Sequence, residues 1–150
     1  MSNGWRTRRD GPVQIQVPEE WADLDEGTGP LVMAEPERLD GGFRANVVVL
    51  HRASEQPVHE AGALAVAEVF ALPAPSHVLS NDVWDLPDGP GRMLDFLWWQ
   101  GDVCVSVMRW TIATGRRVVE VTASVGVLDR TGYEELLVAI AARLAVEDDR

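Results

Sequence analysis

The sequence of 150 residues contains no lysine, and arginine supplies all 13 of its basic side chains. Its single cysteine, Cys104, excludes an internal disulfide and any metal site built from several cysteines. No run reaches 18 apolar residues, so the sequence predicts no membrane-spanning helix. We attribute the absence of lysine to codon bias in a GC-rich genome, and it indicates no function by itself.

Acidic residues outnumber basic ones, 24 against 13, and give a net charge of −11 at pH 7. This charge disfavours nucleic acids and anionic lipid membranes as partners. The first residues are basic but no apolar run follows them, so no secretory signal is recognisable and we expect a cytoplasmic protein. Apolar residues make up 46% of the chain, a proportion typical of a globular domain with its own core.

Hydrophobic periodicity predicts three strands, a helix, four strands and a final helix. The strands are expected at 13–17, 31–34, 44–52, 77–86, 91–100, 103–113 and 116–125. Helical spacing covers 58–72 and about 132–146, and Thr131 with Glu134 forms a capping-box pattern at the second helix. We expect a flexible arm over 1–12, a single domain over 13–146 and an acidic tail over 147–150.

Short turns between consecutive strands indicate a mostly antiparallel sheet of about six or seven strands, and hence an α+β fold. Gly101-Asp102 and Thr114-Gly115 are interpreted as two-residue hairpin loops, and the second loop places Arg109 opposite Glu120. Both faces of the middle strands are apolar. One helix is therefore expected on each face, which predicts a three-layer α/β/α sandwich.

Strand alternation assigns the apolar residues of the hairpins to two faces. The face expected beneath the C-terminal helix includes Leu97, Trp99, Cys104, Met108 and Trp110. The opposite face begins apolar and becomes polar along the strands. Two helices are too narrow to cover seven strands, so the remaining surface must meet loops, a second copy of the chain or a partner.

Short segments of the N-terminal half carry a family resemblance. Val-Pro-Glu-Glu-Trp at 17–21 precedes the strand 31–34, and Phe-Arg-Ala-Asn-Val-Val-Val follows at 43–49. Over about 13–146 the chain resembles the PsbP/Mog-type α/β/α sandwich family, and within it the LpqN/DcrB-like bacterial branch. The resemblance implies a non-enzymatic role, because family members include a photosystem accessory subunit, a Ran-binding protein, bacterial lipoproteins and chaperones for secreted toxins. It supplies no shared catalytic residue.

No residue pattern predicts catalysis, a metal site or a cofactor. His51, His59 and His77 lack metal-ligand spacing, and Cys104 on an apolar strand face is expected to be an inert small hydrophobe. The acidic segment 19–26 lacks the order of a calcium loop and is expected to be solvated. We therefore predict that the protein is not an enzyme.

The partly polar sheet face is the predicted binding surface. It carries Arg92, Trp98, Arg109 and Glu120, and tryptophan and arginine are enriched at interaction hot spots. The sequence thus predicts a protein-binding adaptor or chaperone-like domain that holds a protein partner or forms a homodimer.

A carrier of a small apolar ligand is the alternative. Its pocket would lie between the sheet and a helix and would be lined by Phe96, Trp98 and Val107.

Overall fold

The computed structural model describes residues 4–147, which contain two sheets and two α-helices. The strands are β1 (Trp5–Asp10), β2 (Val13–Pro18), β3 (Ala22–Asp23), β4 (Leu31–Ala34), β5 (Asn46–Ala53), β6 (Ser76–Val83), β7 (Gly91–Gln100), β8 (Val103–Ala113), β9 (Arg117–Gly126) and β10 (Ala145–Val146). The helices are α1 (Val58–Phe70) and α2 (Arg130–Ala141), and a 3-10 turn at Val127–Asp129 leads into α2.

All strand pairs are antiparallel, as the short turns predict. The main sheet has seven strands in the order β3-β4-β5-β9-β8-β7-β6, and the second sheet has the order β1-β2-β10. The expected α+β class is confirmed. The expectation that residues 13–17 belong to the main sheet is wrong, because they form the centre of the small sheet.

The β7–β8 hairpin has the predicted register, with Trp98 opposite Val105 and Gly101-Asp102 as its loop. Gly101 has a φ of 62°, which suits the first position of a two-residue loop. The prediction for the next hairpin is wrong, because β8 and β9 are joined by the longer loop 114–116 and Ala113 pairs with Val118. A two-residue type I′ loop would need a positive φ at the β-branched Thr114, and no residue other than glycine has one in the described chain.

The longer loop shifts the β8–β9 register by two residues. Arg109 therefore lies opposite Thr122, and Glu120 lies opposite Thr111. A shift of two positions leaves each side chain on its predicted face of the sheet. The expected pair of Arg109 with Glu120 does not form.

The predicted flexible arm over 1–12 is wrong where the structure describes it, because residues 5–10 form β1. A Gly11-Pro12 loop with Gly11 at a φ of 57° turns β1 onto β2. Arg8 contacts both Asp23 and Asp25 at 2.8 Å. The acidic segment is thus not simply solvated, since its Asp23 and Asp25 pair with Arg6 and Arg8 of β1.

The apolar core consists of separate clusters on the two faces of the main sheet. Met108 and Trp110 of β8 pack in one cluster with Leu137 and Ile140 of α2. Val107, the neighbour of Met108, packs in another cluster with α1. Alternation along β8 therefore places α1 and α2 against opposite faces.

The α2 side has a second cover. Val13, Ile15 and Val17 of β2 are fully buried in the same cluster as α2. On the α1 side the helix packs on β6, β7 and β8. No helix within residues 4–147 is long and apolar enough to cross a membrane.

The C-terminal helix begins and ends earlier than expected, since α2 stops at Ala141 and β10 follows. The predicted capping box does not form. Thr131 lies inside the helix, and the side chain of Glu134 accepts a hydrogen bond from Arg130 at 3.4 Å. Of the expected acidic tail the structure describes only Glu147, whose N–H donates to the carbonyl of Pro12 at 2.7 Å.

Two glycines should respond in opposite directions to replacement by alanine. A Cβ on Gly91 would stand 2.3 Å from the carbonyl oxygen of Trp84 and 2.6 Å from Cδ1 of Ile112, so Gly91→Ala should lower the free energy of unfolding by about 1–3 kcal/mol. A Cβ on Gly132 in α2 meets nothing within 4 Å, so Gly132→Ala should raise it by about 0.5–1 kcal/mol. Urea denaturation measures both, and equal effects of the same sign would contradict the packing.

Among the acidic residues that contact β1, Asp25 should contribute most to stability. Its side chain is only 5% exposed and accepts from Arg8 and from the N–H groups of Gly27 and Val32. Asp25→Asn should therefore lower the free energy of unfolding by about 1–3 kcal/mol. The matched control Asp23→Asn, whose side chain is 43% exposed, should cost under about 1 kcal/mol.

The difference in the free energy of unfolding between the wild type and Asp25→Asn should also depend on pH. The hydrogen bond from Arg8 holds the pKa of Asp25 well below its usual 3.8. A depressed pKa stabilises the fold above pH 3.8, and the contribution is lost as pH falls through the folded-state pKa. The difference in the free energy of unfolding between wild type and variant should decrease when denaturation is measured at successively lower pH, from neutral towards strong acid. A difference that stays constant would contradict this account.

Candidate functional site

Four rows of paired residues cross the main sheet on the side of α1. The rows are Trp98–Val105–Gly126, Phe96–Val107–Ser124–Asn46, Leu94–Arg109–Thr122–Val48 and Arg92–Thr111–Glu120–Leu50. All four residues of the predicted binding surface, and all three of the alternative pocket, therefore lie on this side.

Arg92 and Glu120 are largely covered. Arg92 packs against α1 so closely that a Cβ on Gly62 would stand 3.1 Å from its Cγ, and it donates to the carbonyl of Gly91 at 3.0 Å. Glu120 is only 8% exposed, and its Oε1 lies 3.7 Å from Arg52.

Arg109 and Trp98 lie together at a small cavity beside α1. Arg109 donates to Oγ1 of Thr122 at 3.1 Å, and its guanidinium lies 5.6 Å from the ring centre of Phe96. The cavity measures about 130 Å³ and is lined by Trp98, Arg109, Phe96 and Val107 among others. Pockets for small organic ligands are typically about 300–1,000 Å³, so this one is sized for a single side chain.

The sheet continues past α1 without a helix over it. The residues that face outward there are partly or fully exposed: Asn46, Val48, Leu50, Arg52, Thr122 and Ser124. We call these six the open face. Leu50 is 44% exposed, and Arg52 contributes a side chain that is 43% exposed. The sequence prediction that the helices leave part of the sheet uncovered therefore holds on this side.

The histidines do not assemble a catalytic group. Nη1 of Arg117 donates to Nδ1 of His51 at 2.9 Å, because a guanidinium can only donate. Nε2 of the neutral ring then donates to Asp10 at 2.8 Å, which ties β1 to β5. His59 lies on α1 and His77 on β6. Residues 4–147 contain no group of three or more side chains suited to a metal ion.

Sequence reasoning missed a larger cavity at the tip of the β7–β8 hairpin. This hairpin-end cavity measures about 480 Å³ and is lined by residues that include Phe43, Trp99, Val103, Cys104 and Leu128. The expectation that Trp99 lies beneath α2 is wrong, since Trp99 is 42% exposed.

α2 makes its main contacts with β9, β2 and the 3-10 turn rather than with the hairpin tip. Cys104, predicted to be inert on a covered face, is half-buried and lines this cavity instead. The apolar Val127-Leu128 pair between strand and helix is the one sequence signal that pointed here.

A polar network borders the hairpin-end cavity. The hydroxyl of Tyr133 donates to Oε1 of Glu35 at 2.7 Å, and Oε2 of Glu35 accepts from the N–H of Ala45 at 2.7 Å. Arg38 donates to Asp129, one of the cavity residues, at 3.1 Å. Burial, with a contribution from the Glu35 carboxylate, raises the pKa of Tyr133 to about 12.

Tyr133 is the only tyrosine, so its ionisation can be followed directly by phenolate absorbance. The native protein should titrate near pH 12, and the unfolded chain near 10. Because the pKa of Tyr133 is raised on folding, the contribution of its protonated hydroxyl to the free energy of unfolding is complete below pH 10 and is lost as pH rises towards 12. Glu35→Gln should lower the native midpoint, because it removes the carboxylate charge that helps to raise the pKa of Tyr133. A native midpoint at the unfolded value would contradict the network.

Comparison with solved structures identifies the fold. A Pseudomonas aeruginosa protein of unknown function matches with a TM-score of 0.69 and 14% identity, over 97% of this chain and 99% of that chain. Cyanobacterial PsbP from Synechocystis matches with a TM-score of 0.70 and 13% identity, over 95% and 92%. LpqN of Mycobacterium tuberculosis, which is involved in cell envelope biogenesis, matches with a TM-score of 0.72 and 14% identity, over 91% and 83%.

Comparison of the sequence alone identifies no relative. No model of a known protein family matches the chain, and no curated protein matches it. Identities of 13–14% carry the fold but not a shared activity. The resemblance predicted from the segments 17–21 and 43–49 is nevertheless confirmed at the level of structure, because the chain has the fold of cyanobacterial PsbP and LpqN.

Proposed function

We propose that this domain is a non-enzymatic adaptor or chaperone-like module that binds a protein partner across the open face and the adjoining small cavity. The observation that carries the proposal is the unequal cover of the main sheet. On the α2 side, β5 and β9 are covered by a helix and a second sheet, whereas on the α1 side the same two strands expose Leu50 and its neighbours.

The shape of the surface suits a side-chain anchor. The cavity of about 130 Å³ beside Trp98 would take one apolar side chain of the partner. Arg109 at its rim is 19% exposed and lies 3.4 Å from Glu68 of α1, and its remaining N–H groups would bind a carboxylate of the partner. Arg92 and Glu120, being covered, would support the surface from within.

Charge favours a different protein over a second copy. A two-fold homodimer would set the same patch against itself and bring Arg52 and Arg109 towards their own copies. The six residues of the open face include no acid, and the nearby carboxylates of Glu68 and Glu120 are already engaged with Arg109 at 3.4 Å and with Arg52 at 3.7 Å. A partner segment that carries carboxylates and one apolar anchor fits better.

The fold comparison is compatible with this role. None of the three matched proteins is described as an enzyme. We further propose that the main sheet is the middle layer of a three-layer sandwich, and that the protein acts in the cytoplasm. The alternative, a carrier with its pocket at Phe96, Trp98 and Val107, is less well supported because the cavity there is small.

Two leucines of equal exposure provide a matched test. Leu50 on the open face and Leu64 on α1 are both 44% exposed. In affinity capture from the source cells with quantitative mass spectrometry, Leu50→Asp should reduce recovery of the partner about tenfold or more, because it places a charge in an apolar contact. Leu64→Asp should leave recovery unchanged.

Light scattering on the purified protein completes the test. A monomer whose captured protein depends on Leu50 and not on Leu64 supports the proposal. A concentration-dependent dimer lost in Leu50→Asp would assign the face to a second copy and overturn the choice of partner. Equal recovery by both variants would overturn the use of this face.

A further inference from the structure

The hairpin-end cavity is built from three separate parts of the chain. The tip of the β7–β8 hairpin contributes Trp99 and Val103, the 3-10 turn after β9 contributes Leu128, and the loop before β5 contributes Phe43. Its volume of about 480 Å³ lies within the range of sites that bind small organic molecules. The cavity is separate from the open face, so the inference below does not rest on the proposed function.

Large apolar side chains around this cavity are unusually exposed. Trp99 and Val103 are each 42% exposed, and Leu128 is 97% exposed. Single exposed apolar residues are ordinary, but several that surround one concave site indicate a binding surface. An apolar ligand body placed there would cover surface that the chain itself leaves in water.

The charges that line the cavity are of one sign. Asp102 and Asp129 are acidic, Cys104 is the only other titratable residue in the described lining, and no basic residue belongs to it. Arg38 lies beside Gly42 of the lining and 3.1 Å from Asp129, but it is also bound by Asp40 at 2.7 Å. Asp102, at the exposed hairpin turn, has no such counter-charge among the described contacts. Anions are therefore disfavoured and cations favoured.

We propose that the hairpin-end cavity binds a small organic cation, an amine or quaternary ammonium with an apolar body. The apolar body would pack on Phe43, Val103 and Leu128, and the positive head would lie near Asp102. The indole of Trp99 adds to this preference, because an aromatic face attracts a cation.

The test compares two probes with the same tail and opposite heads, decyltrimethylammonium and decanoate, each below its micelle concentration. Isothermal titration calorimetry should show saturable binding of the cation and at least tenfold weaker binding of the anion. Cys104 provides a second readout, because the only thiol of the chain lines the cavity. The bound cation should slow maleimide labelling of Cys104.

Two substitutions of equal charge locate the binding site. Asp102→Asn should weaken cation binding by about two- to fivefold, the effect of one exposed carboxylate. Asp82→Asn, on the distant edge strand β6, makes the same change of net charge and should leave binding unchanged. Cys104→Phe, checked for folding by its thermal transition, should fill the cavity and abolish binding.

Several results would overturn the assignment. These are no saturable binding of the cation, equal binding of the two probes, unprotected labelling of Cys104 at saturation, or equal effects of Asp102→Asn and Asp82→Asn. If Cys104→Phe does not fold, the two aspartate variants and the labelling rate still decide the question.

Discussion

Everything in this domain depends on covering a sheet that is apolar on both faces. On β8, Val107 packs beneath α1 and its neighbour Met108 packs beneath α2, so neither face of the strand can be left in water. The two sides solve the problem unequally. One side combines α2 with the buried apolar residues of β2, and the other side has α1 alone. Both candidate binding surfaces lie where that cover ends.

Arginine has a structural use that its abundance alone does not reveal. Each guanidinium can bind a carboxylate through two N–H groups, as Arg8 does with Asp25 and Arg130 with Asp95. The pairs join elements far apart in sequence, such as β1 to the segment before β4. Many of the acids that make the chain strongly negative are thus engaged in the fold.

The sequence predicted local pairing well and long-range pairing poorly. The β7–β8 hairpin has its predicted bounds and register, because a glycine-led loop and alternating residues determine both. The next hairpin was misplaced by two residues, because the conformational preference of Thr114 was overlooked. β1 was missed because it is polar, and its arginines find their carboxylates, such as Asp23, Asp25 and Glu147, only in other parts of the chain. The predicted surface residues share one side of the sheet, but the packing of Arg92 against α1 and the burial of Glu120 beside Arg52 could not be seen in the sequence.

β2 lies between two strands from opposite parts of the described chain, β1 on one side and β10 on the other. Arg9 and Glu147, which are 138 positions apart, meet across it. Loop closure over such a separation is entropically costly and slow, so the small sheet cannot be completed until nearly all of the chain is available. A nascent chain that has not yet produced β10 therefore leaves one edge of β2 unpaired. Pairing of β10 with β2 completes the small sheet only after the rest of the domain has been synthesised.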